Sequence, residues 1–108
     1  VELNCHLGSV GDRPVLAVEG EVDLATIPQL RDQLVRCINR NRGATVYVDL
    51  DGVSVLDDTG LGVLLGAAGT ARTAAGDLVL ICSSAGLLAR FAITGLDRAI
   101  TVLGRLAP

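Results

Sequence analysis

The 108-residue chain has no lysine, methionine or tryptophan, and only one tyrosine, one phenylalanine and one histidine. All nine of its basic residues are arginines. Without lysine there is no P-loop lysine, no Schiff-base chemistry and no lysine to complete a phospho-aspartate receiver site. A formal charge of −3 and an aromatic set limited to Tyr47 and Phe91 leave neither a basic stripe nor a stacking platform, so direct nucleic-acid binding is not expected. No apolar run reaches the roughly 18 to 20 uncharged residues of a membrane span, and no leader pattern of basic, apolar and small residues opens the chain. It therefore reads as soluble and is expected in the cytoplasm. The absence of an initiating methionine suggests trimming, or a domain cut from something longer. Cys5, Cys37 and Cys82 are odd in number, widely spaced and free of any C-x-x-C pair. Neither a disulfide framework nor a zinc site is indicated, no cofactor is expected, and the thiols are expected to be buried and reduced.

Half of the residues are apolar, which suits a single domain over residues 1–108 with one core. "VELNCHL" alternates, with Val1, Leu3, Cys5 and Leu7 on one side, and "VLAVEGEVD" supplies a second strand, so the chain opens as a hairpin. Thr26 ahead of Ile27 and Pro28 reads as a hydroxyl cap on a helix whose apolar stripe is Ile27, Leu30, Leu34, Cys37 and Ile38. "ATVYVDL" then reads as a central strand over residues 44–50 running out into a loop. Leu61, Leu64, Leu65 and Ala68 mark a second helix ending at Gly76. "DLVLICS" is a continuous apolar strand that calls for cover on both faces. Ser83 or Ser84 caps a third helix with Gly95 beyond its end, and "AITVL" is a last short strand. The order β-β-α-β-α-β-α-β predicts an α/β domain, a mixed sheet flanked by helices, with its functional surface where strands run out into helix N-termini.

"VLDDTGLGVLL", residues 55–65, lies at such a point and concentrates two acids, a hydroxyl and two glycines. An acid–base enzyme built on Asp57 and Asp58 is poorly supported: adjacent residues do not share a helix face, and the lone His6 sits far off on an expected edge strand. An enzyme is not expected. Gly60 and Gly62 at a helix start resemble a phosphate cradle only weakly, and two carboxylates beside them would repel a phosphate. A helix cap by Asp57 or Asp58 explains one acid and the first glycine but leaves Thr59 and the other acid unexplained.

"DGVSVLDDTGLGVLL" resembles the signature of STAS domains, the sulfate-transporter and anti-sigma-factor-antagonist family, and is most similar to bacterial anti-anti-sigma factors. "VEGEVDLATIPQLRDQL" is similar to that family's second strand and first helix, and "GLLARFAITGLDRAITV" resembles its closing helix and strand. The resemblance implies partner switching. The unmodified protein binds an anti-sigma factor, a serine/threonine kinase with a histidine-kinase-like fold, and so releases a sigma factor. Phosphorylation by that kinase ends the interaction and a metal-dependent phosphatase restores it; ATP and magnesium belong to the partner. The position of the acceptor, before the glycine of the family's D-[ST]-[ST]-G-L pattern, is here Thr59, and Asp23, Asp57, Asp58, Gly60 and Leu61 are implied contacts. Asp58 stands where serine or threonine is common in the family, a permanent charge beside the acceptor. The alternatives are a STAS module of an anion transporter or larger sensor protein, and a regulatory domain that senses a nucleotide or lipid.

Overall fold

The computed structural model describes residues 2–107. β1 (Leu3–Val10) and β2 (Arg13–Val22) form the opening hairpin around Gly11, whose φ of 61° suits a two-residue turn. Then follow α1 (Ile27–Arg40), β3 (Thr45–Leu56), α2 (Asp58–Thr73), β4 (Asp77–Ile81), α3 (Ala85–Thr94), the single turn α4 (Leu96–Ala99) and β5 (Thr101–Leu103). The expected order holds, with α4 as an addition: Gly95, at φ 81°, ends α3 and lets the chain restart at once.

The five strands lie in the order β1-β2-β3-β4-β5, antiparallel only between β1 and β2. Leu16, Val48 and Leu80 of the sheet join Leu34 of α1, Leu64 of α2, Phe91 of α3 and Leu96 of α4 in one core, which places all the helices on one face. Each large side chain so buried contributes roughly 1.5 to 3 kcal/mol against the entropy of ordering the chain. Val15, Val79 and Ile81 are buried outside that core, on the other face. Arg13 shares their side of β2, and its Nη1 donates to the carbonyl of Ala107 at 2.8 Å, which ties the segment after β5 to the start of β2. The cover expected for the apolar strand is present on both faces: Leu78 and Leu80 pack in the helix-side core, and Val79 and Ile81 are buried on the other side.

Three details depart from the sequence reading. Leu65 is exposed, because the buried stripe of α2 runs through Leu61, Leu64 and Ala68 and Leu65 lies about 100° off it. Leu7 is exposed too, since the far end of the edge strand faces a shallow hollow beside Arg40 and Asn41. Val1 lies outside the described residues. The largest difference is β3, which runs six residues past Leu50. Ala17 pairs with Asp49 but Glu19 with Gly52, and Gly20 pairs with Val53 but Glu21 with Val55. Each shift inserts one extra residue on the β3 side. The buried positions accordingly change spacing, from Val46, Val48 and Leu50 to Val53 and Leu56, which hides the strand from a period-two reading. Gly52 is required there, because a Cβ would lie 2.7 Å from Cγ of Glu19.

Candidate functional site

β4 pairs with β3 only as far as Asp49, so the last turns of β2 and β3 project beyond the sheet as a two-stranded arm. Val22 is paired with Leu56 at its tip, and the amide of Asp57 donates to the carbonyl of Val22 at 3.1 Å. The β2–α1 loop and the start of α2 are thereby brought side by side. Asp23 and Thr59, remote in sequence, share one edge of the molecule, the edge where the parallel strands end and α1, α2 and α3 begin.

Asp57 is the N-cap of α2. Its Oδ1 accepts the amide of Gly60 at 3.1 Å and the hydroxyl of Thr59 at 2.9 Å, so one carboxylate both ends the helix and orients the candidate acceptor. Thr59 is exposed in the first turn. Gly60 and Leu61, implied as contacts, face inward instead. Leu61 is 6% exposed and belongs to the core, and a Cβ on Gly60 would stand 2.6 Å from Cδ1 of Leu56 and 2.8 Å from Cγ1 of Val22. Both residues fix the position of the first turn of α2, and Gly60 is what lets the helix sit down on the arm.

Asp23 is partly exposed and builds the neighbouring loop. Its Oδ1 accepts the amides of Ala25 and Thr26 at 3.0 and 3.2 Å, the bonds a capping acid makes. Thr26, expected as the capping hydroxyl, makes no cap. It is buried, and its Oγ1 accepts from the amide of Asp23 and donates to the carbonyl of Glu21 at 2.8 Å. Thr26 is the N-cap position expected from the sequence, with α1 starting at Ile27, but the loop amides ahead of the helix are taken by Asp23 because residues 24–26 are wound into a turn. At the tip of this loop Leu24 is 75% exposed, an apolar side chain that helix and strand patterns could not flag because it belongs to neither.

Asp58 points away from the cap. Arg90 of α3 reaches across and places Nη2 2.7 Å from Oδ1 of Asp58. On the other flank, a groove of about 730 Å³ runs between α1 and α2, with Asp58, Thr59 and Arg31 among the residues lining it, Leu34, Val35 and Ile38 as one wall, and Gly62, Gly66 and Ala67 as the other. It stays open because nothing stands within 4 Å of where Cβ atoms of Gly62 and Gly66 would be. His6 takes no part: it pairs with Glu19 at 3.3 Å on the edge strand. Burial pushes the thiols of Cys5, Cys37 and Cys82 above the ordinary range; Arg40 draws Cys37 back, and at Cys82 the Ser84 backbone opposes the rise while Asp51 and Asp49 add to it, so none carries the lowered pKa of an activated nucleophile.

Comparison with known proteins adds to this geometry. The sequence profile of the family described as "Mlab, STAS domain" matches residues 5–105. The chain belongs to the STAS-domain family. This STAS domain is 38% identical over 85 residues to a protein of Listeria monocytogenes named "Anti-sigma-B factor antagonist", covering 79% of the chain and 74% of the relative. Its fold matches the crystal structure of an anti-sigma factor antagonist from Mycobacterium paratuberculosis with a TM-score of 0.86 at 21% identity, over 97% of this chain and 88% of that one. It also matches the phosphorylated form of the Bacillus cell-fate determinant SpoIIAA with a TM-score of 0.68 at 22% identity, over 94% and 93% of the two chains.

Proposed function

We propose that this STAS domain is an anti-sigma factor antagonist: unmodified, it binds an anti-sigma factor of the kinase type and frees a sigma factor, and phosphorylation of Thr59 by that partner ends the complex. It acts as a binding protein and not as an enzyme. The observation that carries the reading is the exposed Thr59 hydroxyl held by Asp57 at the head of α2, on a surface shared with the Asp23 loop, in a chain 38% identical to a relative named for this role. Leu24 and the α1–α2 groove supply apolar area for docking beside it.

The chemistry of the switch follows from the same contacts. Phosphorylation replaces the proton that Thr59 donates to Asp57 with a group of about −1.5 to −2 charge. The helix N-terminus tolerates an anion, but a carboxylate oxygen that lay 2.9 Å from the bare Thr59 oxygen does not. A partner surface fitted to a neutral threonine meets two carboxylates and a phosphate in its place. A phosphatase that removes the group restores the cap and the docking surface together.

Isothermal calorimetry against the anti-sigma kinases of the source genome tests the reading. Thr59→Ala is expected to bind as wild type and to stay bound in the presence of ATP, whereas Thr59→Glu is expected to bind at least about tenfold more weakly, the cost of a buried or rim-level like charge. Equal, tight binding by both variants would contradict the switch.

A further inference from the structure

Asp58 poses a difficulty for a surface that reads the charge state of Thr59. Its side chain is 92% exposed, it adjoins the acceptor, and it carries its own negative charge. A partner selecting against charge at Thr59 would also be selecting against Asp58. The structure contains a counterweight in Arg90, which lies 32 residues away on α3, has a side chain only 33% exposed, and places Nη2 2.7 Å from Oδ1 of Asp58. Among the described residues the His6–Glu19 contact and the ion pairs Asp32–Arg36 and Arg72–Asp77 lie away from Thr59, so Arg90–Asp58 alone joins the first turn of α2 to another helix.

We infer that Arg90 is a specificity-determining residue of the docking surface: by holding Asp58 it offsets one of the two carboxylates beside bare Thr59, so that until phosphate is added the partner meets only the charge of Asp57, which the α2 N-terminus already engages. The inference rests on the proposed function. With Arg90 in place, Asp58 and its counter-ion sum to about zero, and phosphorylation changes the local charge by about −1.5 to −2, more than one guanidinium can balance. Without Arg90 the unmodified site carries the charge of Asp58 in addition to that of Asp57, and the contrast between its two states shrinks. An ion pair this exposed adds little to folding, so its effect belongs to recognition and not to stability.

The test is calorimetric titration of wild type, Arg90→Gln, Asp58→Ser and the double variant with the anti-sigma kinase that binds wild type, at low salt and without nucleotide. Arg90→Gln is expected to weaken binding about fivefold, less so in high salt, and to leave the thermal midpoint within about 2 °C of wild type. The double variant is expected to recover wild-type affinity, because removing Asp58 removes the charge that Arg90 offsets. Unchanged binding by Arg90→Gln overturns the inference. So does a double variant as weak as Arg90→Gln, which would mean that Arg90 touches the partner itself. Absence of wild-type binding to every kinase tried defeats the functional reading, and the inference with it, and is distinguished from the other outcomes by the wild-type titration alone.

Discussion

Asp57 shows how much one side chain carries at this site. It caps α2 and holds the Thr59 hydroxyl, and Asp57→Ala is expected to cost about 1 kcal/mol in urea denaturation while freeing the hydroxyl from its partner. Gly60 is constrained more tightly. Gly60→Ala would gain helix propensity of up to about 1 kcal/mol but must displace Leu56 and Val22, an overpacking cost of roughly 1 to 3 kcal/mol, so net destabilisation is expected in the same measurement. The sequence made the residues of the cluster visible because two acids, a hydroxyl and two glycines fall within six positions. It could not reveal that Arg90 answers Asp58, since an ion pair across 32 residues leaves no local pattern. Leu61, an implied contact, also belongs to the apolar pattern of α2, and two steps along a helix from Thr59, a turn of about 200°, carry its side chain from the surface to the core.

At the scale of elements, α2 is poor in helix formers on its groove side. Gly62→Ala and Gly66→Ala meet nothing within 4 Å and are each expected to raise stability by about 0.5 to 1 kcal/mol. The same methyl groups narrow the α1–α2 groove, so weaker binding of the anti-sigma partner is expected from the more stable protein; unchanged affinity would remove the groove from the docking surface. The helix ends before the Gly76 expected from sequence. Ala75 takes the left-handed position at φ 65°, and Gly76 is needed because a Cβ there would collide with the carbonyl of Ala44. Ala75→Gly is accordingly expected to be neutral or stabilising by up to about 1 kcal/mol, unlike most glycine substitutions. Helix α1 was legible because its apolar residues recur at three and four positions, and α3 because a serine cap and Gly95 bracket it. The arm of β3 was not, because two bulges replace its alternation with a spacing of three, and the arm is what lifts Asp57 to Thr59 beside Asp23.

Considered whole, the molecule separates its tasks. One face of the sheet carries the helices and the core, the segment after β5 is tied to β2 through Arg13, and the edge where parallel strands end holds the candidate switch. The fold was legible in outline because the longer elements repeat their period and caps, glycines and turns mark their ends. The placing of all helices on one face follows from crossover handedness and appears only when the strand order is known. The three raised thiols give the whole molecule a pH signature. Folding holds their protons more tightly than the unfolded chain does, so stability is intact below the ordinary thiol pKa of 9.0 and is expected to fall as pH rises past it toward the raised folded values. Replacing Cys37 with serine or alanine should flatten that decline while lowering stability overall, as denaturation at pH 7 and pH 10 would show.

The central claim is that Thr59 is the group whose charge decides partner binding. Its most direct test is intact-protein and peptide mass spectrometry after incubation with the anti-sigma kinase that binds this chain, ATP and magnesium, with Thr59→Ala in parallel. One phosphoryl group on Thr59, absent from the variant and accompanied by loss of the complex, is expected. A kinase that binds tightly yet leaves Thr59 unmodified, or modifies another residue, would contradict it.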